Sequence, residues 1–356
     1  RRLMSPDSLA ADDRIVRTHI SEVDAAPLLI EITRGDMVES VHRGIVSVVD
    51  AKGKDVLSLG DIERPTYPRS AIKPFQTLPV IESGAADAFN LSEAEIALCC
   101  ASHRGEPIHT DKVVPWLDRL GLSVDNLECG PQLPFHETSA HALIRAGTEP
   151  TRAHNNCSGK HSGMLTTAVH LGEPVKGYTE ADHPVQTRLI DLIGEMGEMD
   201  LSRTARGVDG CGIPVFGAPL RGIAYAMARL AAPDALGADR AAACRRIVKA
   251  CANNPLMLSG TGAFNSVVLA ETGVTCLLKG GAEGYYTAAL PEKGLGVAIK
   301  IDDGAGRAAE AAVLAVLIRL GVIDDAQKAR IEAACSPEVR NWAGRLVGFI
   351  RPTPAF

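Results

Sequence analysis

No stretch of this chain is long and apolar enough to span a bilayer. An excess of positive charge is missing too. Lys and Arg number 37 against 43 Asp and Glu, a formal net charge of -6. That argues against nucleic acid or an anionic membrane as the main partner. The segment Arg1 to Asp13 is polar and lacks the apolar core of a signal peptide. A disulfide framework is also excluded. The nine cysteines are scattered and odd in number, in a 356-residue chain able to build its own core, so a reducing cytoplasm is the expected setting. Repeats and low-complexity stretches are absent as well.

What is present begins with strands. Pro27 to Thr33 is apolar and β-branched, Val38 to Asp50 is β-branched in its second half, and Val56 to Gly60 follows a turn. This spacing predicts an antiparallel meander. Helical patterning starts near Ser70 and runs to Ser83. It resumes at Ser92–Cys99, where Ser92 and Glu95 are spaced as a capping box. Further helices are expected at about Thr110–Leu120, Thr138–Ala146, from Asn155 to Leu171, Pro184–Met196, Pro219–Ala231 and Ala238–Ala252. After Ser259 the pattern returns to strands: Val267–Ala270, Val274–Lys279, Tyr285–Leu290 and Gly296–Ile301. Helices at Ala305–Leu320 and Asp325–Ala334 and a strand from Leu346 complete the chain. The order implies an α+β fold, with one antiparallel sheet built from the N- and C-terminal segments and a helical lobe inserted between them. The expected division is a tail at 1–24 and a single domain at 25–356. Its sheet comes from 25–65 and 259–350, and its lobe from 70–258.

Arg69-Ser70-Ala71-Ile72-Lys73-Pro74 is the stretch around which chemistry can be organised. Positions i and i+3 stack on one face in an α or 3₁₀ turn, which places the Ser70 hydroxyl near the Lys73 amine. A lysine whose pKa is lowered can take the serine proton, and a helix start offers N–H groups to an oxyanion. S-x-x-K is the nucleophile motif of serine β-lactamases and penicillin-binding proteins, where K-T-G is a further element. Lys279-Gly280-Gly281 resembles that element in placement; the competing reading is a hairpin corner with a solvated lysine. Ser102 shares a polar loop with His103 and Glu106. Cys157, Lys160 and Cys211 can be read as zinc donors or as buried structural residues. Asp209 and Glu283, both in Gly-rich loops, can hold a substrate ammonium or cap turns.

Taken together, Arg69–Pro74, Ala101-Ser102-His103 with Gly105-Glu106, Asn156–His161, Asp209–Gly212 and Lys279–Gly284 resemble the rhizobial-type asparaginases of the asparaginase II family. The similarity runs from about Leu28 to about Ile323. It implies a serine β-lactamase-like fold, hydrolysis of L-asparagine to L-aspartate and ammonia, and a homodimer acting on a small molecule. By motif, Ser70–Lys73 and Ser102–Lys279 correspond to the family's two serine–lysine tandems. Cys157, Lys160 and Cys211 correspond to its zinc ligands, and Arg69, His103, Asp209 and Glu283 are expected to bind substrate. Ala263 and Asn265 depart from the arginine and cysteine expected there.

The expected mechanism has Ser70 attack the amide carbon, Lys73 take its proton, and Ser102 with Lys279 pass a proton to the ammonia. Three other readings compete. One is a β-lactamase-like hydrolase or peptidase, a second is an autocleaving enzyme with Thr261 as nucleophile, and a third is an amino-acid-binding homologue without turnover.

Overall fold

The computed structural model describes residues 26–356. The proposed tail at 1–24 therefore lies outside the described residues. Eight strands form one antiparallel sheet. The N-terminal segment contributes Leu28–Arg34, Met37–Asp50 and Asp55–Leu59. The C-terminal segment contributes Leu277–Gly281, Tyr285–Leu290, Leu295–Ile301, Glu338–Arg340 and Leu346–Pro352. Met37–Asp50 joins the two sets: its first half pairs with Leu28–Arg34 and its second half with Leu295–Ile301. Its β-branched half is central for a physical reason. Ile45, Val46, Val48 and Val49 are all 0% exposed, so residues pointing to either face must be apolar.

The two sheet faces carry different helices. A Cβ on Gly296 would lie 2.0 Å from the carbonyl oxygen of Ala224, so Leu220–Ala231 presses directly on the face Gly296 presents. Tyr286 pairs with Ile299, which has the opposite parity to Gly296, and its hydroxyl lies beside Glu310 of helix Gly306–Arg319. That helix therefore covers the other face. Lys279 pairs with Thr287 and shares the first face, where the inserted lobe sits.

The lobe holds helices at Lys73–Glu82, Glu93–Cys99, Pro107–Arg119, Glu137–Ala146, Ser158–Leu171, Pro184–Gly197 and Ala238–Asn253. The capping box at Ser92 is formed: Ser92 Oγ accepts from the Glu95 N–H while Glu95 Oε2 accepts from the Ser92 N–H at 2.8 Å. Two small ladders interrupt the helices, Pro65–Thr66 with Ala218–Pro219 and Arg206–Val208 with Pro214–Phe216.

One expected strand is wrong. Val267–Ala270 lies inside a helix, Phe264–Thr272. Phe264, Val268, Leu269 and Thr272 are buried at helical spacing, so burial overrides the strand preference of two adjacent valines.

Candidate active site

The edge strand Leu277–Gly281 meets the lobe at the Arg69–Ile72 turn. A Cβ on Gly281 would stand 2.8 Å from the carbonyl oxygen of Pro68 and 3.1 Å from the Ala71 nitrogen. Only glycine lets strand and turn come this close. Thr287 Oγ1 donates to the Ala71 carbonyl at 2.8 Å and fixes the seam.

The Arg69–Ile72 turn is 3₁₀ and passes into helix Lys73–Glu82, with Pro74 at its start, where a missing N–H costs nothing. Lys73 is 1% exposed. Its amine donates to the Ala101 carbonyl at 2.5 Å, Ser102 Oγ at 3.0 Å and Cys157 Sγ at 3.2 Å. The expected Ser70–Lys73 hydrogen bond is not made. A buried amine satisfies itself with the most acceptors, and those lie inward. Ser70 Oγ has no hydrogen-bond partner among the described residues and faces the cavity.

Lys279 is 0% exposed and donates to Ser102 Oγ at 2.9 Å and to the Gly280 carbonyl at 2.6 Å. Burial, and then the charge of Lys73, hold its amine well below the usual lysine range. Ser102 Oγ thus bridges two amines.

Cys157 precedes helix Ser158–Leu171, and Cys211 lies in the tip of the Arg206–Phe216 hairpin. Lys160 Nζ donates to Cys211 Sγ at 2.9 Å. A hydrogen bond from Cys211, then the charges of Lys73 and Lys160, hold the Cys157 thiol well below its ordinary value; the same bond raises Cys211. Burial pulls the Lys160 amine down, but the Cys211 and Cys157 sulfurs outweigh it and raise it. Among the described residues no three His, Cys, Asp or Glu side chains gather as a metal site. The donor set here is two sulfurs and an amine. Thiolate sulfur is a zinc donor, but Lys160 could join such a set only by giving up the proton that the sulfurs favour.

Arg69 and Asp209 form one wall. Arg69 donates to Asp209 Oδ1 through Nη2 at 2.7 Å and Nε at 3.2 Å. Burial alone would raise the Asp209 carboxyl, but the Arg69 hydrogen bonds and the Lys160 charge outweigh it and lower it. Arg69 has φ +46°, an uncommon backbone for an arginine, so the ion pair holds a strained residue.

Two expected substrate residues do not reach the cavity. His103 is 0% exposed, bonds Ser158 Oγ at 2.8 Å and accepts from the Gly105 N–H. Burial, and then the neighbouring His109, hold it neutral. Its place is structural, as a brace for the Ser102 loop. Glu283 occupies the turn before Tyr285 with φ +59°, and its carbonyl accepts from Lys300. The left-handed turn aims it toward Gly304 rather than Ser70.

Arg69, Ser70, Ser102, Asp209 and Lys279 line one cavity of about 720 Å³. Gln132, Asn155, Asn156, Ser259, Tyr286 and Glu310 line it too, and sequence reasoning missed them as site residues. Asn155 and Asn156 adjoin Cys157 and were within reach of the motif; Tyr286 and Glu310 carry no local signal. Glu106 Oε1 accepts from the Thr261 N–H at 2.8 Å, tying the loop before Ala263 to the Ser102 loop. Asn265 also lines the cavity, and its buried Oδ1 has no partner among the described residues.

An antiparallel sheet with an inserted helical lobe, and a buried cluster of two lysines on one serine at their seam, define an α+β protein with a polar cavity at that seam. The family model described as L-asparaginase II matches residues 30–352. The chain belongs to that family, and so to the asparaginase-type amidohydrolases. A β-lactamase from Mycobacterium bovis is similar in structure, with a TM-score of 0.41 and 13% identity, covering 84% of this chain and 97% of that one. No curated protein matches the chain.

Proposed function

We propose that this chain hydrolyses the side-chain amide of L-asparagine to L-aspartate and ammonia, in the manner of the rhizobial-type members of its family. The observation that carries the reading is the Lys73–Ser102–Lys279 bridge, with amines 3.0 and 2.9 Å from one hydroxyl on the cavity wall. Two amines that close cannot both hold a proton cheaply. One positive charge is shared between them, and Ser102 is the path by which it moves. Passing the Lys73 proton through Ser102 to Lys279 leaves Lys73 neutral, three residues from Ser70.

Ser70 is the attacking group in this reading because its oxygen is unengaged, whereas Ser102 Oγ is occupied by both amines. Ser70 Oγ bonds the amide carbon and its proton goes to Lys73. The carbonyl oxygen becomes the tetrahedral oxyanion. The C–N bond then breaks, and the nitrogen leaves as ammonia with a proton returned along the bridge. Water cleaves the resulting ester, giving aspartate and free Ser70. Arg69 and Asp209 hold the amino-acid end through opposite charges.

A second reading has Ser102 attack with Lys279 as its base, favoured by their direct contact. Mixing each alanine variant with asparagine and trapping the acyl-enzyme for mass analysis separates the two. Under the first reading Ser70→Ala yields no adduct, and Ser102→Ala yields a slow one on Ser70. An adduct on Ser102 in Ser70→Ala protein overturns the assignment.

Zinc belongs to the proposal, held by Cys157, Lys160 and Cys211. When bound it supplies a fixed positive charge beside Asp209. Metal analysis of protein purified without added metal is expected to find about one zinc per chain, and the ratio should collapse in Cys157→Ser. A ratio near zero in the parent protein would remove the claim. A homodimer is proposed with it.

A further inference from the structure

A second cavity adjoins the catalytic one at Phe264. Arg104, Ala263, Phe264 and Glu310 line both, and the second has a volume of about 610 Å³. The floor of this second cavity is the stripe Ala311, Leu314, Ala315 and Ile318 on helix Gly306–Arg319, with Ile350 of the last strand beside it. The spacing i, i+3, i+4, i+7 puts the four helix residues on one face. All four are only partly buried. At the shared rim the Phe264 ring stands edge-on to Tyr286, with centroids 6.0 Å apart. Ala263 brings one methyl. The Arg104 guanidinium is engaged on the carbonyls of Thr261 at 2.9 Å and Phe135 at 3.3 Å. The Glu310 carboxyl lies beside the Tyr286 hydroxyl. Asparagine is far smaller than the first cavity alone, since cavities of several hundred Å³ hold drug-sized ligands.

We propose that the second cavity receives an apolar group carried on the amide nitrogen, so that the substrate class includes secondary side-chain amides of aspartate. This rests on the amide-hydrolase reading above. The orientation follows from the walls. Arg69 and Asp209 hold the amino-acid end beside Cys211, and the Ala263–Phe264 side is left for the departing amine. The chemistry is unchanged. Ser70 Oγ forms the ester as the C–N bond breaks, the amine leaves with the proton returned along the bridge, and water supplies the hydroxyl of the new carboxylate.

The test uses N4-phenyl-L-asparagine, followed by aniline release, beside L-asparagine, followed by ammonia release. Aniline is expected from the parent protein. Ala315→Phe, which fills the second cavity only, should lower kcat/KM for the anilide by about tenfold or more, the scale set by one apolar subsite. It should leave asparagine unchanged. Ala311→Phe repeats the test if Ala315→Phe melts early. Ammonia release without aniline release, or equal losses on both substrates, overturns the inference. So does preferential hydrolysis of Nα-benzoyl-L-asparagine, which would reverse the orientation. If neither amide is cleaved, the hydrolase reading has failed, and calorimetric titration still decides the cavity. N4-phenyl-L-asparagine binding more tightly than asparagine, and weakened by Ala315→Phe, supports it; equal affinities overturn it.

Discussion

Lys279 is a lysine in a strand, with no exposed surface and a hydroxyl, a carbonyl and another amine's charge around it. Such a group is costly to keep protonated, and the cost has two measurable consequences. The first is catalytic: Lys279→Met should lower kcat for asparagine by about 10²–10⁴-fold, the range for a lost general base. Activity of the parent should fall with acid as pH drops through the depressed pKa. The second is thermodynamic. Between that depressed pKa and the ordinary value of 10.5, the unfolded chain binds a proton here that the folded chain does not. Stability therefore rises with pH across the window. Lys279→Met should flatten that rise in denaturant titrations run at several alkaline pH values; an unchanged slope would mean that Lys279 is charged in the fold.

At the scale of elements, the site is assembled by close approaches that small residues permit. Helix Ser158–Leu171 carries Lys160, follows directly on Cys157, and packs against Glu93–Cys99, just ahead of Ser102. A Cβ on Gly159 would lie 2.3 Å from the Leu98 carbonyl oxygen, which is backbone and cannot swing away. Gly159→Ala is therefore expected to destabilise the fold by about 1–3 kcal/mol, the usual cost of overpacking. It should also separate Lys160 from Cys211. A melting curve with metal content measured alongside checks both, and a variant matching the parent in each would contradict the packing argument. The same scale shows where reading by pattern goes astray. Val267–Ala270 looks like a strand because two valines adjoin, yet the segment coils because its neighbours bury Phe264 and Leu269 together.

For the molecule as a whole, the two ends of the described chain close one sheet. Leu346–Pro352 pairs with Leu28–Arg34, with Glu31 opposite Arg351 and their side chains 2.6 Å apart. No helix among the described residues is long and apolar enough to cross a membrane. Met37 at the start of its strand, Trp342 in the turn between the last two strands, and Phe349 are exposed, and exposed apolar side chains favour association. The proposed homodimer is checked by analytical ultracentrifugation, where the expected mass is twice that of one chain; a single-chain mass at micromolar concentration would refute it.

The sequence by itself determined the order of strands and helices outside Phe264–Thr272, the Ser92 cap and the five motifs, because these depend on local periodicity and turn chemistry. It also named Ser70, Ser102, Asp209 and Lys279, which line one cavity, and Lys73, whose amine bonds Ser102 behind them. Only the tertiary structure decided which serine each amine touches. Lys73 lies three residues from Ser70 in the chain, yet its amine turns to Ser102, because the acceptors that satisfy a buried ammonium come from Ala101, Ser102 and Cys157. It likewise withdrew His103 and Glu283 from the cavity and added Tyr286 and Glu310. Burial and hydrogen-bond supply are properties of the packed molecule, and spacing along the chain does not encode them.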